Sequence, residues 1–192
     1  MNSSYLTDPM VFLLEVAFQV YILAVLLRFL LQWARADFNN SISLLVVKVT
    51  SPLLAPMRRV IPPLKGLDTA SLVLAWLLKA LELLLIVLLS KGSFLPLLAL
   101  LGAIPALLEF IINIFIAVII IQVIMSWVTI EAYHPVIDIL TSLSKPVLAP
   151  FRSLIPATSG FDFSPMVAVL ALILLKMLLL PPLRTLATSL GT

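Results

Sequence analysis

The sequence predicts an all-α membrane protein. Four transmembrane helices form two parallel, same-orientation two-helix repeats, each with an amphipathic interfacial helix and a Pro/Arg loop. Three observations carry this prediction. Of the 192 residues, 62% are hydrophobic and 11% charged, whereas soluble domains are about half apolar and about a quarter charged. Too little polar surface remains to cover the apolar side chains, so lipid must cover them. The second observation is a set of four apolar runs, each at or above the roughly 20 residues a helix needs to cross a bilayer. The third is internal: a shift of 94 residues lays one half of the chain on the other without a gap.

The first run covers residues 11–33, 23 residues in all. It is too long for the apolar stretch of a signal peptide, and the first ten residues carry no Lys or Arg, so it is expected to remain as the first span. Further spans are expected at about 70–89, 104–128 and 165–183. The third run starts earlier, near residue 94, but Pro96, Gly102 and Pro105 interrupt it. Residues 93–103 are therefore expected to form a short interfacial or re-entrant connector. That divides the chain into a first repeat at 1–92, the connector at 93–103, and a second repeat at 104–192.

The repeat is sharpest outside the spans. Residues 51–68 fall on 145–162 with nine identities in 18 positions, among them three prolines, Arg58/Arg152, Gly66/Gly160 and Asp68/Asp162. Membrane composition does not produce such matches by itself. The same shift pairs Trp33 with Trp127, Glu15 with Glu109 and Gln19 with Asn113. Two spans per unit send both units into the membrane in the same direction, so the expected relation is a pseudo-two-fold axis along the membrane normal rather than an inverted repeat. The two long loops hold Arg35, Lys48, Arg58, Arg59, Lys65, Lys145 and Arg152, against Lys91 and Arg184 on the other side. The positive-inside rule then places the loops in the cytoplasm and both termini outside.

Each loop opens on an apolar pattern at i, i+3, i+4, i+7: Ile42, Leu45, Val46 and Val49, then Val136, Ile139, Leu140 and Leu143. This period predicts an amphipathic helix on the bilayer surface, with Lys48 and Asp138 toward water. Asn40 or Ser41 would cap the first, and Pro135 would stand in the first turn of the second. Next come Pro52, Pro56 and Pro62 in one copy and Pro146, Pro150 and Pro156 in the other. Proline removes a backbone donor and fixes φ, so these segments are expected to turn rigidly instead of continuing as helix. They would hold Arg58, Arg59 and Arg152 at the membrane surface, suited to anionic lipid head groups, a partner's carboxylates, or Asp68 and Asp162 of the same chain.

The doubled P-x-L-x-P-x-R-x-x-I-P, followed by G-x-D and preceded by spans ending in Gln32-Trp33 and Ser126-Trp127, resembles the YggT family of bacterial integral membrane proteins, related to the YlmG proteins of Gram-positive bacteria and plastids. The resemblance covers nearly the whole chain in its two-copy form. Arg59 matches a second Arg of the motif, which Ser153 replaces in the other copy. The first copy has Thr69-Ala70-Ser71 where Phe163-Ser164-Pro165 keeps the usual D-x-S-P. The resemblance implies a non-enzymatic protein of the bacterial inner membrane, with its termini then periplasmic. It also implies links to cell division and envelope organisation, to osmotic stress tolerance and, in plastids, to cytochrome complex maturation.

Chemistry-bearing residues are few. The chain has no cysteine and one histidine, His134, so no metal site, redox pair or catalytic triad is expected from it and no cofactor is implied. Its bases follow membrane topology and give no reason to expect direct readout of nucleic acid. Charges within the spans are costly enough to be expected in pairs facing the bundle interior. The candidates are Glu15 with Gln19, Glu109 with Asn113, and Glu82 with Lys176, the last two being equivalent under the shift and of opposite charge. Two functions remain open. One is a scaffold or assembly protein whose loops engage anionic lipids and an unidentified membrane or cytoplasmic protein, with or without self-association. The other is a small cation or proton transporter, channel or accessory subunit using the buried charges.

Overall fold

The computed structural model describes residues 4–64, 66–127, 134–154 and 162–191. They form six helices: α1 (Ser4–Trp33), α2 (Ser41–Val60), α3 (Thr69–Lys91), α4 (Pro96–Trp127), α5 (Pro135–Leu154) and α6 (Ser164–Gly191). Helices α1, α3, α4 and α6 are long and apolar enough to cross a membrane, as expected. A bilayer leaves backbone groups no water to bond, and helices satisfy them internally.

Helices α2 and α5 lie at the same end of the bundle, where Asn40 Nδ2 on one side donates to Pro135 O on the other at 2.8 Å. The two repeats therefore run in the same direction. Asn40 caps α2 through Oδ1, which accepts from the Ile42 amide at 2.9 Å, and Pro135 is the first residue of α5. In α5 the expected stripe is the buried one: Ile139, Leu140 and Leu143 are covered. In α2 only Val46 of its stripe is buried, together with Ser43, Thr50 and Leu54. Leu45 and Val49 are exposed, as side chains facing lipid would be.

Four expectations are corrected. The connector at 93–103 does not form: α4 is one helix of 32 residues, about 48 Å at 1.5 Å per residue, and it runs through Gly102 and Pro105. The repeat explains why, since α4 from residue 98 onward is the counterpart of α1 from residue 4, itself helical through Pro9. Trp76 Nε1 donates to Leu100 O at 2.9 Å and so supports the backbone beside the proline. Likewise, Pro52, Pro56, Pro146 and Pro150 do not end the surface helices. They lie inside α2 and α5. Spacing of four puts each pair on one exposed face with Lys48 or Arg152 nearby, where water or head groups can reach the carbonyls that lose their donors. The fourth span continues past residue 183 through Pro181 and Pro182, also exposed, to Gly191.

The fourth correction concerns symmetry. Spans pack in the order α1, α3, α4, α6, with α3 against α4 joining the repeats. A two-fold axis would also pack α6 against α1, and the described residues show no comparable contact there. A rotation of the second repeat that closes the α3–α4 junction thus leaves α1 and α6 at opposite ends. Lipid tails are as apolar as leucine, so close packing rather than the hydrophobic effect joins such helices. Small residues allow it: Ala75, Ala80, Ala99 and Ala103 are buried, and a Cβ on Gly102 would lie 3.7 Å from Leu83 Cδ1.

Ala103, fully buried in α4, tests the continuous helix. Ala103→Leu should destabilise by about 1–3 kcal/mol through overpacking, read as a lower unfolding midpoint in detergent. A free surface connector would accept the larger side chain without loss.

Candidate functional site

At the α2/α5 end a buried arginine gathers three helices. Arg28 of α1, 6% exposed, donates from Nη1 to Thr50 Oγ1 at 2.8 Å, Ser51 Oγ at 3.1 Å and Val47 O at 3.3 Å on α2. Its Nε stands 4.0 Å from Asp68 Oδ2. Asp68, at the N-cap of α3 and 4% exposed, accepts from Arg58 through Nη2 and through Nε, the latter at 3.4 Å, and from the Ser71 hydroxyl. Its carboxylate makes no cap hydrogen bond to α3, because the two guanidinium groups and the Ser71 hydroxyl hold it. A tight turn delivers it, with Gly66 at φ +80°, mutual backbone bonds between Leu64 and Leu67, and Gln32 Nε2 donating to Gly66 O at 2.8 Å. Arg28, Arg58 and Asp68 line a cleft of about 470 Å³.

Burial pushes the Asp68 carboxyl up, but hydrogen bonds from Arg58 and Ser71 and the nearby Arg58 charge outweigh it and hold it below the usual carboxylate range. The second repeat builds a weaker copy. Arg152 Nε donates to Asp162 Oδ2 at 3.1 Å with both side chains substantially exposed, 48% and 39%. Asp162 also caps α6, accepting from the Ser164 amide at 2.9 Å, and slight burial is again outweighed by its hydrogen bonds, so its pKa is also lowered. Gln122 takes the place of Arg28, and its Oε1 is buried with no hydrogen-bond partner among the described residues.

Of the three partners open to the loop arginines, the structure realises the intrachain aspartates for Arg58 and Arg152. Arg59 and Lys48 are exposed and make no ion pair with a described residue. Pro62 lies just past α2, where its carbonyl accepts from Thr69 Oγ1 at 2.8 Å. Pro156 lies outside the described residues. Within the spans, the expected Glu82–Lys176 pair is corrected. Glu82, 1% exposed, is paired with Lys79 of its own helix at 2.8 Å, because α3 and α6 are separated by α4. Lys176 instead donates to Asn113 at 3.1 Å and stands 3.9 Å from Glu109, which Arg184 also contacts. Gln19 is exposed, and Glu15, half-buried, lies within electrostatic reach of Glu82. Sequence reasoning did not single out Arg28, Thr50 and Ser51 as one site. Its available signal was the break in the repeat, Arg28 against Gln122. The Lys79–Glu82 pair was legible in its i, i+3 spacing.

The fold and these paired clamps define a multi-pass membrane protein built by duplication. A family model described as CCB3/YggT matches residues 7–89 and again 101–183, two segments 94 residues apart. The chain belongs to that family. It is 40% identical to the "Uncharacterized protein YggT" of Escherichia coli K12 over 170 residues, 88% of each chain, and 40% identical over 178 residues to an uncharacterized Pseudomonas aeruginosa protein, covering 91% of this chain and 90% of that one. It is also 37% identical over 174 residues to a Vibrio alginolyticus protein, covering 86% and 90%. No solved structure matches.

The unequal clamps give two expected outcomes. Asp68→Asn leaves Arg28 buried without its counter-charge and should cost about 3 kcal/mol or more, whereas Asp162→Asn, at an exposed pair, should cost at most about 1 kcal/mol. Unfolding midpoints in detergent compare them. A carboxyl with a lowered folded pKa contributes stability above its unfolded pKa, about 3.9, and loses it as pH falls through the folded value. The midpoint should therefore be insensitive to the Asp68 clamp from pH 7 to about 5 and fall below about pH 4, more steeply in the parent chain than in Asp68→Asn.

Proposed function

We propose that this chain is a non-enzymatic scaffold or assembly protein of the bacterial inner membrane, with the α2/α5 end cytoplasmic and both termini periplasmic. The carrying observation is that α2 and α5 join at one end of the bundle and are tied to the spans by two copies of one Arg–Asp clamp. The product is a paired-helix platform at the depth of the lipid head groups. With Arg58 and Arg152 engaged by aspartates, the bases left to face outward on α2 and α5 are Lys48, Arg59 and Lys145, all exposed. Such bases attract anionic head groups at about 1 kcal/mol each, and apolar Leu44, Leu45 and Leu53 beside them suit lipid or the face of a partner helix. A role in cell division, envelope organisation or osmotic stress tolerance, which the family resemblance implies, suits such a platform.

The transport reading has less support. Lys79, Glu82, Glu109 and Lys176 each have a local partner, which fits interhelical and intrahelical bonding better than an ion path, and no described group of acidic residues could hold a metal ion.

Replacing Lys48, Arg59 and Lys145 by Gln should reduce retention of anionic over zwitterionic lipid in nanodiscs by tenfold or more, at unchanged expression and midpoint. Ion flux through proteoliposomes of the parent chain should match that of empty vesicles. Flux that Glu15→Gln or Glu109→Gln abolishes would overturn the scaffold reading. The orientation is checked with single cysteines, since the chain has none: an impermeant thiol reagent should label Ser90→Cys in intact cells and Ser153→Cys only after lysis.

A further inference from the structure

The cleft around Arg28 holds more positive charge than the chain neutralises. Among the described residues Asp68 is the one carboxylate paired with Arg28 or Arg58, at 4.0 Å from Arg28 Nε and in direct contact with Arg58 Nη2. Two guanidiniums against one carboxylate leave one positive charge over, and each arginine lies within electrostatic reach of the other. Donors are left over as well. Arg28 gives Nη1 to Thr50, Ser51 and Val47, and Arg58 gives Nε and Nη2 to Asp68. Arg28 Nη2 and Arg58 Nη1 donate to no described residue, although a charged donor out of water needs an acceptor.

Both arginines line the cleft of about 470 Å³, with Gln32 and apolar Phe38, Val47 and Ile61 beside them. Arg28 precedes Trp33, the last residue of α1, by about 7–8 Å of helix, so the cleft lies near the level where tryptophan meets the interface. A basic pocket between helices at that level matches a phosphate head group, and the guanidinium fork matches phosphate oxygens. The repeat supplies an internal comparison. Gln122, Ser126, Arg152 and Asp162 line a cleft in the second repeat at the positions of Arg28, Gln32, Arg58 and Asp68. There one guanidinium faces one carboxylate and Gln122 brings no charge, so the surplus belongs to the first repeat alone and is due to Arg28.

We infer that the cleft between α1 and α2 binds one phosphate group, seated between Arg28 and Arg58 and supplying the negative charge that Asp68 alone does not. The inference rests on the reading of this end as lying at head-group depth, but not on the exposed bases Lys48, Arg59 and Lys145. The phosphate comes from an anionic lipid head group or from a soluble phosphate. A choline head group is disfavoured, because its ammonium returns a cation to a cleft that already has one in excess.

The test titrates the full-length chain in neutral detergent with dioctanoyl phosphatidylglycerol, dioctanoyl phosphatidylcholine or inorganic phosphate at constant ionic strength, reading the unfolding midpoint. A ligand of the folded state raises the midpoint saturably. The expected result is such a rise with phosphatidylglycerol, and half-saturation by phosphatidylcholine at about tenfold higher concentration or more. A rise from the lipid but not from inorganic phosphate identifies a head group as the source, and an equal rise from inorganic phosphate a soluble one; either supports the site. Arg28→Gln and Arg58→Gln should each raise the half-saturating concentration about tenfold or more, and Arg152→Gln about twofold at most. Arg58 is exposed, so its variant keeps the test open if Arg28→Gln does not fold. The variant with Lys48, Arg59 and Lys145 all replaced by Gln should keep the rise. Loss of the rise in that variant with retention in Arg58→Gln would overturn the inference and leave the outward-facing bases as the lipid site. No rise from either phosphate, or equal half-saturation of the parent and Arg58→Gln chains, would overturn it as well.

Discussion

Everything at the platform end depends on Arg28 being buried at the end of a span. A guanidinium out of water needs its donors occupied and a counter-charge close by. Meeting that need draws in α2 through Thr50, Ser51 and Val47, and α3 through Asp68. Asp68, taken from water in turn, recruits Arg58 and with it the end of the proline-containing helix. The Pro/Arg motif, which reads as a binding surface, is thus first an internal fastening. Pro62 after the extended Ile61 sets where α2 stops, and the glycine turn sets where α3 starts.

What was legible follows from which signals survive a change of environment. Spans, repeat and surface helices rest on period and length, which a bilayer enforces. Asn40 and Pro135 worked because capping chemistry is local. The prolines misled because proline's cost in a helix is a cost of unsatisfied carbonyls, and it falls where those carbonyls face a wet surface. Pro105 misled for a different reason. The residues before it look like a separate piece only if α1 is read as starting at residue 11, whereas α1 already starts at Ser4.

Pairing of charges across the repeat failed because equivalence under a shift says which residues share an environment, not which ones touch. Glu82 and Lys176 occupy equivalent places on α3 and α6 with α4 between them. Each was satisfied by what its own surroundings offered: Lys79 one turn away for Glu82, and Asn113 with Glu109 for Lys176.

The difference between Arg28 and Gln122 has a consequence for how the surface helices are held. The first repeat closes its clamp over a buried carboxylate with two guanidiniums, while the second closes its own at the surface, with Gln122 where the first has Arg28 and no donor to its Oε1 among the described residues. Helix α5 is held instead by its apolar side, with Ile139, Leu140, Leu143 and Leu148 buried against its neighbours. The two surface helices are thus fastened by different means, α2 through a buried charge and α5 through close packing, a division of labour that duplication alone would not have given them.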